Sequence, residues 1–161
     1  MKIAITGHTS GLGLSLYDHF SKNNEVIGMS RSNGYDLAKD QQSIIDVASK
    51  CDIFFNNAYY QVSQAQLISK LYNVIPVITS GSIASDLDTS KNSYFLNKKI
   101  IETTHKSLSN KTLIPILLLK MGLLENYKCK NSISYLEIID SIEFWLLHPR
   151  ITLIEFDNIF S

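Results

Sequence analysis

Thr6-Gly7-His8-Thr9-Ser10-Gly11-Leu12-Gly13 decides the fold. It follows a short apolar run, Met1 to Thr6, and leads into Leu12, Leu14, Leu16, Tyr17 and Phe20, apolar positions at helical spacing. The order is strand, glycine turn, helix. Three glycines at that junction leave bare backbone where a chain must approach a pyrophosphate, and the first N–H groups of the helix then point at the anion. Gly7, Thr9, Ser10, Gly11, Leu12 and Gly13 are therefore the candidate phosphate cradle. The alternative is a tight turn that serves packing alone.

Outward from this turn the chain keeps alternating. Asn23-Asn24 stops the first helix, and Val26 to Met29 is a second apolar run, as expected of a buried parallel strand after its crossover helix. Asn33-Gly34 marks a turn. A helix over Ser43 to Ala48 precedes a central strand at Ile53 to Phe55, and a short helix over Gln61 to Tyr72 precedes a strand at Val74 to Ile78. Lys91 to Leu108 reads as helix, Leu113 to Leu119 as strand, Tyr135 to Leu147 as an amphipathic helix bearing Trp145, and Ile151 to Phe156 as a last strand beyond Pro149. The pattern predicts one α/β domain over residues 1–161, a doubly wound, Rossmann-like parallel sheet with helices on both faces.

Composition narrows the partner. The 161 residues are 45% hydrophobic, and 15 Lys and Arg balance 15 Asp and Glu, which fits a globular domain and lacks the basic surplus of nucleic-acid or anionic-membrane binders. No apolar run approaches the ~20 residues of a membrane helix, and the N-terminus lacks a signal-peptide pattern. The expectation is a cytoplasmic protein acting on a small molecule, with no nucleic-acid or membrane partner. Cys51 and Cys129 stand far apart and read as reduced thiols, and His8, His19, His105 and His148 lack metal-ligand spacing, so no metal is expected.

At the end of the second strand the sequence is Gly28-Met29-Ser30-Arg31-Ser32, with no acidic residue of the kind that usually meets the ribose hydroxyls of NAD. Arg31 offers a fork of donors for a ribose phosphate, with Ser30 beside it, so NADP(H) is favoured and NAD(H) is the alternative. Asp36, in Tyr35-Asp36-Leu37, is a candidate for the adenine edge or an exposed turn aspartate. Tyr94 and Lys98, four apart on a helix, share one face. Tyr35 and Lys39 have the same spacing, but only the Tyr94 pair follows a serine-rich strand end, Thr79-Ser80-Gly81-Ser82, at the sheet edge where doubly wound folds bind ligands.

With these residues in order the chain resembles the short-chain dehydrogenase/reductase family, whose signals are TGxxxGxG, NNAG, a strand-end Ser and YxxxK. Here they are Thr6 to Gly13, Asn56-Asn57-Ala58, Ser80, and Tyr94 with Lys98. The resemblance implies that Tyr94 is the general acid/base, that Lys98 holds the nicotinamide ribose and lowers the Tyr pKa, and that Ser80 bonds the substrate oxygen. It also places Leu37, Asn57, Ala58, Gly122 and Leu124 against the cofactor. An ammonium ~5 Å from a phenol at an effective dielectric of ~20 contributes about 3 kcal/mol, roughly two pK units off the ordinary Tyr value. The implied function is an oxidoreductase interconverting a carbonyl and a secondary alcohol, in a homodimer or homotetramer.

The sequence also departs from that pattern. The chain is short for the family, no asparagine stands where the family's fourth helix supplies one to the proton relay, and Tyr59 replaces the glycine of NNAG. A rival expectation follows: a dinucleotide-binding sensor or partner-binding protein with little or no turnover. Residues 122–132, where the family builds its substrate lid, are polar (Glu125, Asn126, Lys128, Lys130) and would suit a polar substrate.

Overall fold

Apolar runs become strands here because both of their faces can be covered. Lys2–Thr6 (β1), Glu25–Met29 (β2), Ile53–Asn56 (β3), Val77–Ser80 (β4), Ile116–Met121 (β5) and Leu153–Phe156 (β6) form one sheet in the order β2-β1-β3-β4-β5-β6, with every pairing parallel. Between them run the helices Gly11–Phe20 (α1), Gln41–Ala48 (α2), Ser63–Leu71 (α3), Ser93–Ser109 (α4) and Tyr135–Leu147 (α5). The computed structural model describes residues 1–88, 90, 92–125 and 132–157.

Strand side chains alternate between two cores. Ile3 and Ile5 of β1 meet α1 and α5 through Leu12, Leu16, Phe20, Ile138, Ile142 and Trp145. On the opposite face Ala4, Phe54 and Val77 meet α2 and α3 through Ile44, Leu67, Ile68 and Leu71, while Leu118 meets Ile101 of α4. This is the doubly wound arrangement the alternation predicts. The strand order reverses between β1 and β3, so a crevice opens there at the carboxyl ends of the strands.

Element edges differ from the sequence reading where proline intervenes. The strand expected from Val74 begins at Val77, because the amides of Val74 and Ile75 instead bond Leu71 O at the end of α3 (2.8 and 3.1 Å). Likewise β5 starts after Pro115, not at Leu113, which is wholly exposed. A proline nitrogen cannot join a ladder, but its carbonyl can. Pro76 O accepts from Phe54 N (3.0 Å) and Pro115 O from Val77 N (3.2 Å), so each proline helps to set the register of the strand it precedes. β6 begins at Leu153, two residues later than expected, and Ile151 O takes the indole N–H of Trp145 (2.6 Å).

Helix starts carry side-chain caps. Asn92 Oδ1 accepts from Tyr94 N (2.8 Å) at α4, and Ser134 with Glu137 forms a capping box at α5. The cap on α4 fixes where Tyr94 enters the helix. A 3-10 turn, Ile83–Asp86, follows β4 and is tied to the sheet by buried Lys120, whose Nζ lies 2.6 Å from Asp86 and 3.5 Å from Glu155. No helix is long and apolar enough to cross a membrane among the described residues.

Candidate active site

The glycine turn is held from both sides. Thr6 Oγ1 accepts from the backbone N–H groups of Asn57 and Ala58 (both 3.0 Å), and Gly7 N donates to Met29 O (2.8 Å), so the loops after β1, β2 and β3 meet at one point. Gly7 (φ +74°) and Gly11 (φ +52°) occupy left-handed backbone that disfavours a side chain. Gly13 serves differently: a Cβ there would lie 2.0 Å from Gly7 O, so α1 can approach the turn only with glycine at this position. Ser10 caps α1 without a side-chain cap bond, and no acidic residue sits in the first turn, which leaves that end suited to an anion.

Two cavities lie along the carboxyl edge. The first, about 540 Å³, runs from Gly7, Thr9 and Ser10 to Ser30, Arg31, Asp36 and Leu37, with Ala58 and Tyr59 on its other wall. A capping box between Ser30 and Asn33 shapes the 3-10 turn Arg31–Asn33 and presents Arg31 to this cavity, where it makes no ion pair with any described residue. Asp36 lines the cavity while accepting from Ala38 N (2.9 Å) in a local turn.

The second cavity, about 520 Å³, brings Ser80, Tyr94 and Lys98 together with Gly11, Leu12, Gly122 and Leu124. Asn57 lines both cavities. Lys98 is 5% exposed and its Nζ donates to Gln64 Oε1 (3.1 Å) and Ser80 O (3.3 Å). Burial pushes this ammonium down to about 8. Ser80 Oγ donates to Asn57 O (3.0 Å). The ring of Tyr94 lies 5.7 Å from Lys98 Nζ and edge-on to Tyr59, at 5.1 Å between centroids. Tyr59 itself covers the ammonium, with its centroid 4.9 Å from Nζ and its hydroxyl held by Asn97 Nδ2 (2.9 Å).

No family model matches this sequence, and no curated protein does. Solved structures match in backbone path. An alcohol dehydrogenase from the archaeon Thermococcus sibiricus, complexed with 5-hydroxy-NADP, aligns over 100% of this chain and 98% of its own, at a TM-score of 0.75 and 14% identity. An oxidoreductase of the short-chain dehydrogenase/reductase family from Burkholderia thailandensis aligns over 98% and 91%, at a TM-score of 0.76 and 12% identity. A member from Burkholderia phymatum in complex with NAD aligns over 96% and 88%, at 0.70 and 12%. The chain has the short-chain dehydrogenase/reductase fold.

On that fold every candidate residue read from the sequence lines one of the two cavities, except Gly13, which sits beneath the glycine turn. Asn57 also has a scaffold role, its Nδ2 donating to Thr6 O (3.3 Å). The helix before β4 is short, as its sequence predicts, and offers no asparagine to Lys98. Its residue in reach is Gln64, which the sequence reading passed over although Gln64, Leu67, Ile68 and Leu71 follow the i, i+3, i+4, i+7 pattern of one buried face. Cys51 is a free, buried thiol. Asn126, Lys128, Cys129 and Lys130 lie outside the described residues.

Proposed function

We propose that this chain is an NADP(H)-preferring oxidoreductase that interconverts a carbonyl and a secondary alcohol. The observation that carries the reading is the convergence of Ser80, Tyr94 and Lys98 on one cavity that also reaches Gly11 and Leu12 of the glycine turn. The residues present suit a dinucleotide: Gly7 to Gly13 would hold its diphosphate, Ser30 and Arg31 a ribose phosphate, and Lys98 the ribose beside the nicotinamide. When bound, the nicotinamide supplies a hydride to the carbonyl carbon or takes one from the alcohol carbon.

The chain's own part is to move a proton and fix the substrate. In reduction the Tyr94 hydroxyl donates its proton to the carbonyl oxygen, and in oxidation the phenolate takes it from the alcohol. The Lys98 charge stabilises that phenolate. Ser80 turns its O–H from Asn57 O towards the substrate oxygen. Beyond Asn57, Ser82 and Tyr135 the rest of the cavity wall is apolar, with Leu12, Ile83, Ala84, Leu87, Met121 and Leu123, and Lys98 is the only charged residue among the described ones lining it. This lining favours an uncharged, apolar carbonyl compound over the polar substrate implied by the composition of residues 122–132, since an unpaired charge in such a wall is costly.

Titration by the emission of NADPH, and then of NADH, tests the reading. NADPH is expected to bind more tightly, and Arg31→Ala to weaken it by about 10- to 100-fold, the worth of a charge-assisted contact of roughly 1.5–3 kcal/mol, with NADH within about twofold. Failure of both to bind would overturn the proposal. Tyr59 favours a second reading, a dinucleotide sensor without efficient chemistry, because a ribose brought to Lys98 competes with the ring that covers it. That protein would bind NADPH and turn over no carbonyl compound.

A further inference from the structure

A glutamine on the buried face of a short helix needs a reason. Gln64 is 0% exposed, and the other residues of that face, Leu67, Ile68 and Leu71, are apolar and equally buried. An apolar side chain would fill the place at no polar cost, whereas a carboxamide must find partners for its oxygen and its two N–H groups. The partners of the Gln64 side chain across the sheet edge are two residues of the site, Ser80 and Lys98, and the backbone of Asn56. Nε2 donates to Asn56 O (2.8 Å), Ser80 O (3.1 Å) and Ser80 Oγ (3.1 Å), and Oε1 accepts from Lys98 Nζ (3.1 Å). The backbone joins in, since Gln64 O accepts from Asn56 Nδ2 (2.8 Å).

The neighbours dictate which way this carboxamide faces. An ammonium can only donate and a peptide carbonyl can only accept, so Oε1 has to meet Lys98 and Nε2 has to meet Asn56 and Ser80. Turning the amide over would set like against like on both sides. One rigid planar group thus spans the ends of β3 and β4 and the second turn of α4, and it holds an ammonium on one edge and a hydroxyl on the other. By donating to Ser80 Oγ it leaves the O–H of that serine to point away from α3, towards Asn57 O or an incoming substrate oxygen.

We propose that Gln64 is a positioning residue of the active site, a buried carboxamide that sets the Lys98 ammonium and the Ser80 hydroxyl in fixed relation to one another. It acts through those two side chains and touches no reacting atom. This rests on the reading that Lys98 holds the cofactor ribose.

The test follows NADPH affinity against pH, between about pH 7 and 9.5, where Arg stays charged, in the unmodified protein and in Tyr94→Phe, so that a fall shared by both does not come from that phenol. Only burial displaces Lys98 from its ordinary range, and the titratable groups facing it are the phenols of Tyr59 and Tyr94. Lys98 is charged below about 8, so affinity in the unmodified protein is expected to fall as pH rises through that value. Gln64→Glu, which sets a carboxylate beside the ammonium, is expected to move the midpoint of this fall up by about one pH unit or more. Gln64→Leu, which removes the acceptor, is expected to move it down by about half a unit. Opposite displacements support the role. A filler would lower the melting temperature or the overall affinity in Gln64→Leu and leave its midpoint unmoved, and that result overturns it. Should the Glu variant fail to fold, the Leu variant decides: a lowered midpoint supports the role and an unmoved one overturns it. No NADPH binding by the unmodified protein at any pH overturns the cofactor reading, whereas binding with no pH dependence overturns the part given to Lys98 and with it that of Gln64.

Discussion

Tyr94→Phe is expected to cut carbonyl reduction by about 10²- to 10⁴-fold, the usual contribution of a positioned general acid, while NADPH affinity stays within about twofold. The substitution removes one oxygen and keeps the ring. The ring's contacts with Tyr59 (5.1 Å), with Phe95 (6.3 Å) and with the Lys98 ammonium (5.7 Å) survive it, so the wall of the cavity is preserved. What disappears is the only hydroxyl on α4 that lines this cavity. The check is a pair of measurements: initial rates on uncharged apolar ketones, and cofactor titration by emission. Lys98→Met makes the instructive contrast, because loss of the charge that lines this cavity and is proposed to hold the cofactor ribose should lower rate and affinity together. A rate in Tyr94→Phe within about tenfold of the unmodified protein would move proton transfer to another group.

Much of this site was legible in the chain because its parts follow from local rules. A glycine turn between a strand and a helix, a serine at a strand end, and a Tyr and a Lys one helical turn apart each carry their geometry with them, and the sheet brings them to one edge. Pro76 and Pro115 showed where regularity breaks but not that their carbonyls still enter the ladder, which depends on a neighbouring strand. Tyr59 was visible as a departure from the glycine of NNAG. That its ring comes to rest over Lys98 is a tertiary fact, set by Asn97 and Tyr94 on a helix 38 and 35 residues further along. Gln64 was hidden for another reason: apolar periodicity marks Leu67, Ile68 and Leu71, and a polar residue in phase with them looks like noise until its partners are known. Asp36 is an intermediate case, since the turn that exposes it to the cavity also uses one of its carboxylate oxygens.

Gly13→Ala is expected to do more damage than any other added methyl group in the glycine turn. Its Cβ would lie 2.0 Å from Gly7 O and 2.7 Å from both Gly7 C and Asn57 Nδ2, so either α1 or the Gly7 peptide must move. Neither yields cheaply. α1 buries Leu12, Leu16 and Phe20 against the sheet, while the turn is fastened by Gly7 N to Met29 O and by Thr6 Oγ1 to the amides of Asn57 and Ala58. The cost should therefore reach or exceed the top of the ~1–3 kcal/mol range for overpacking. For a domain of this size that lowers the melting temperature by roughly 6–12 °C. Gly34→Ala separates the two uses of glycine. Nothing lies within 4 Å of a Cβ there, and only its φ of +96° resists a side chain, so about 1–2 kcal/mol is expected. Thermal melts and NADPH titrations on both variants check this. In Gly13→Ala stability and affinity should fall together, because the displaced Gly7 peptide is itself part of the proposed phosphate cradle. In Gly34→Ala stability should fall alone, and a Gly13→Ala protein that melts no lower than it would mean that α1 does not rest on the turn as closely as 2.0 Å requires.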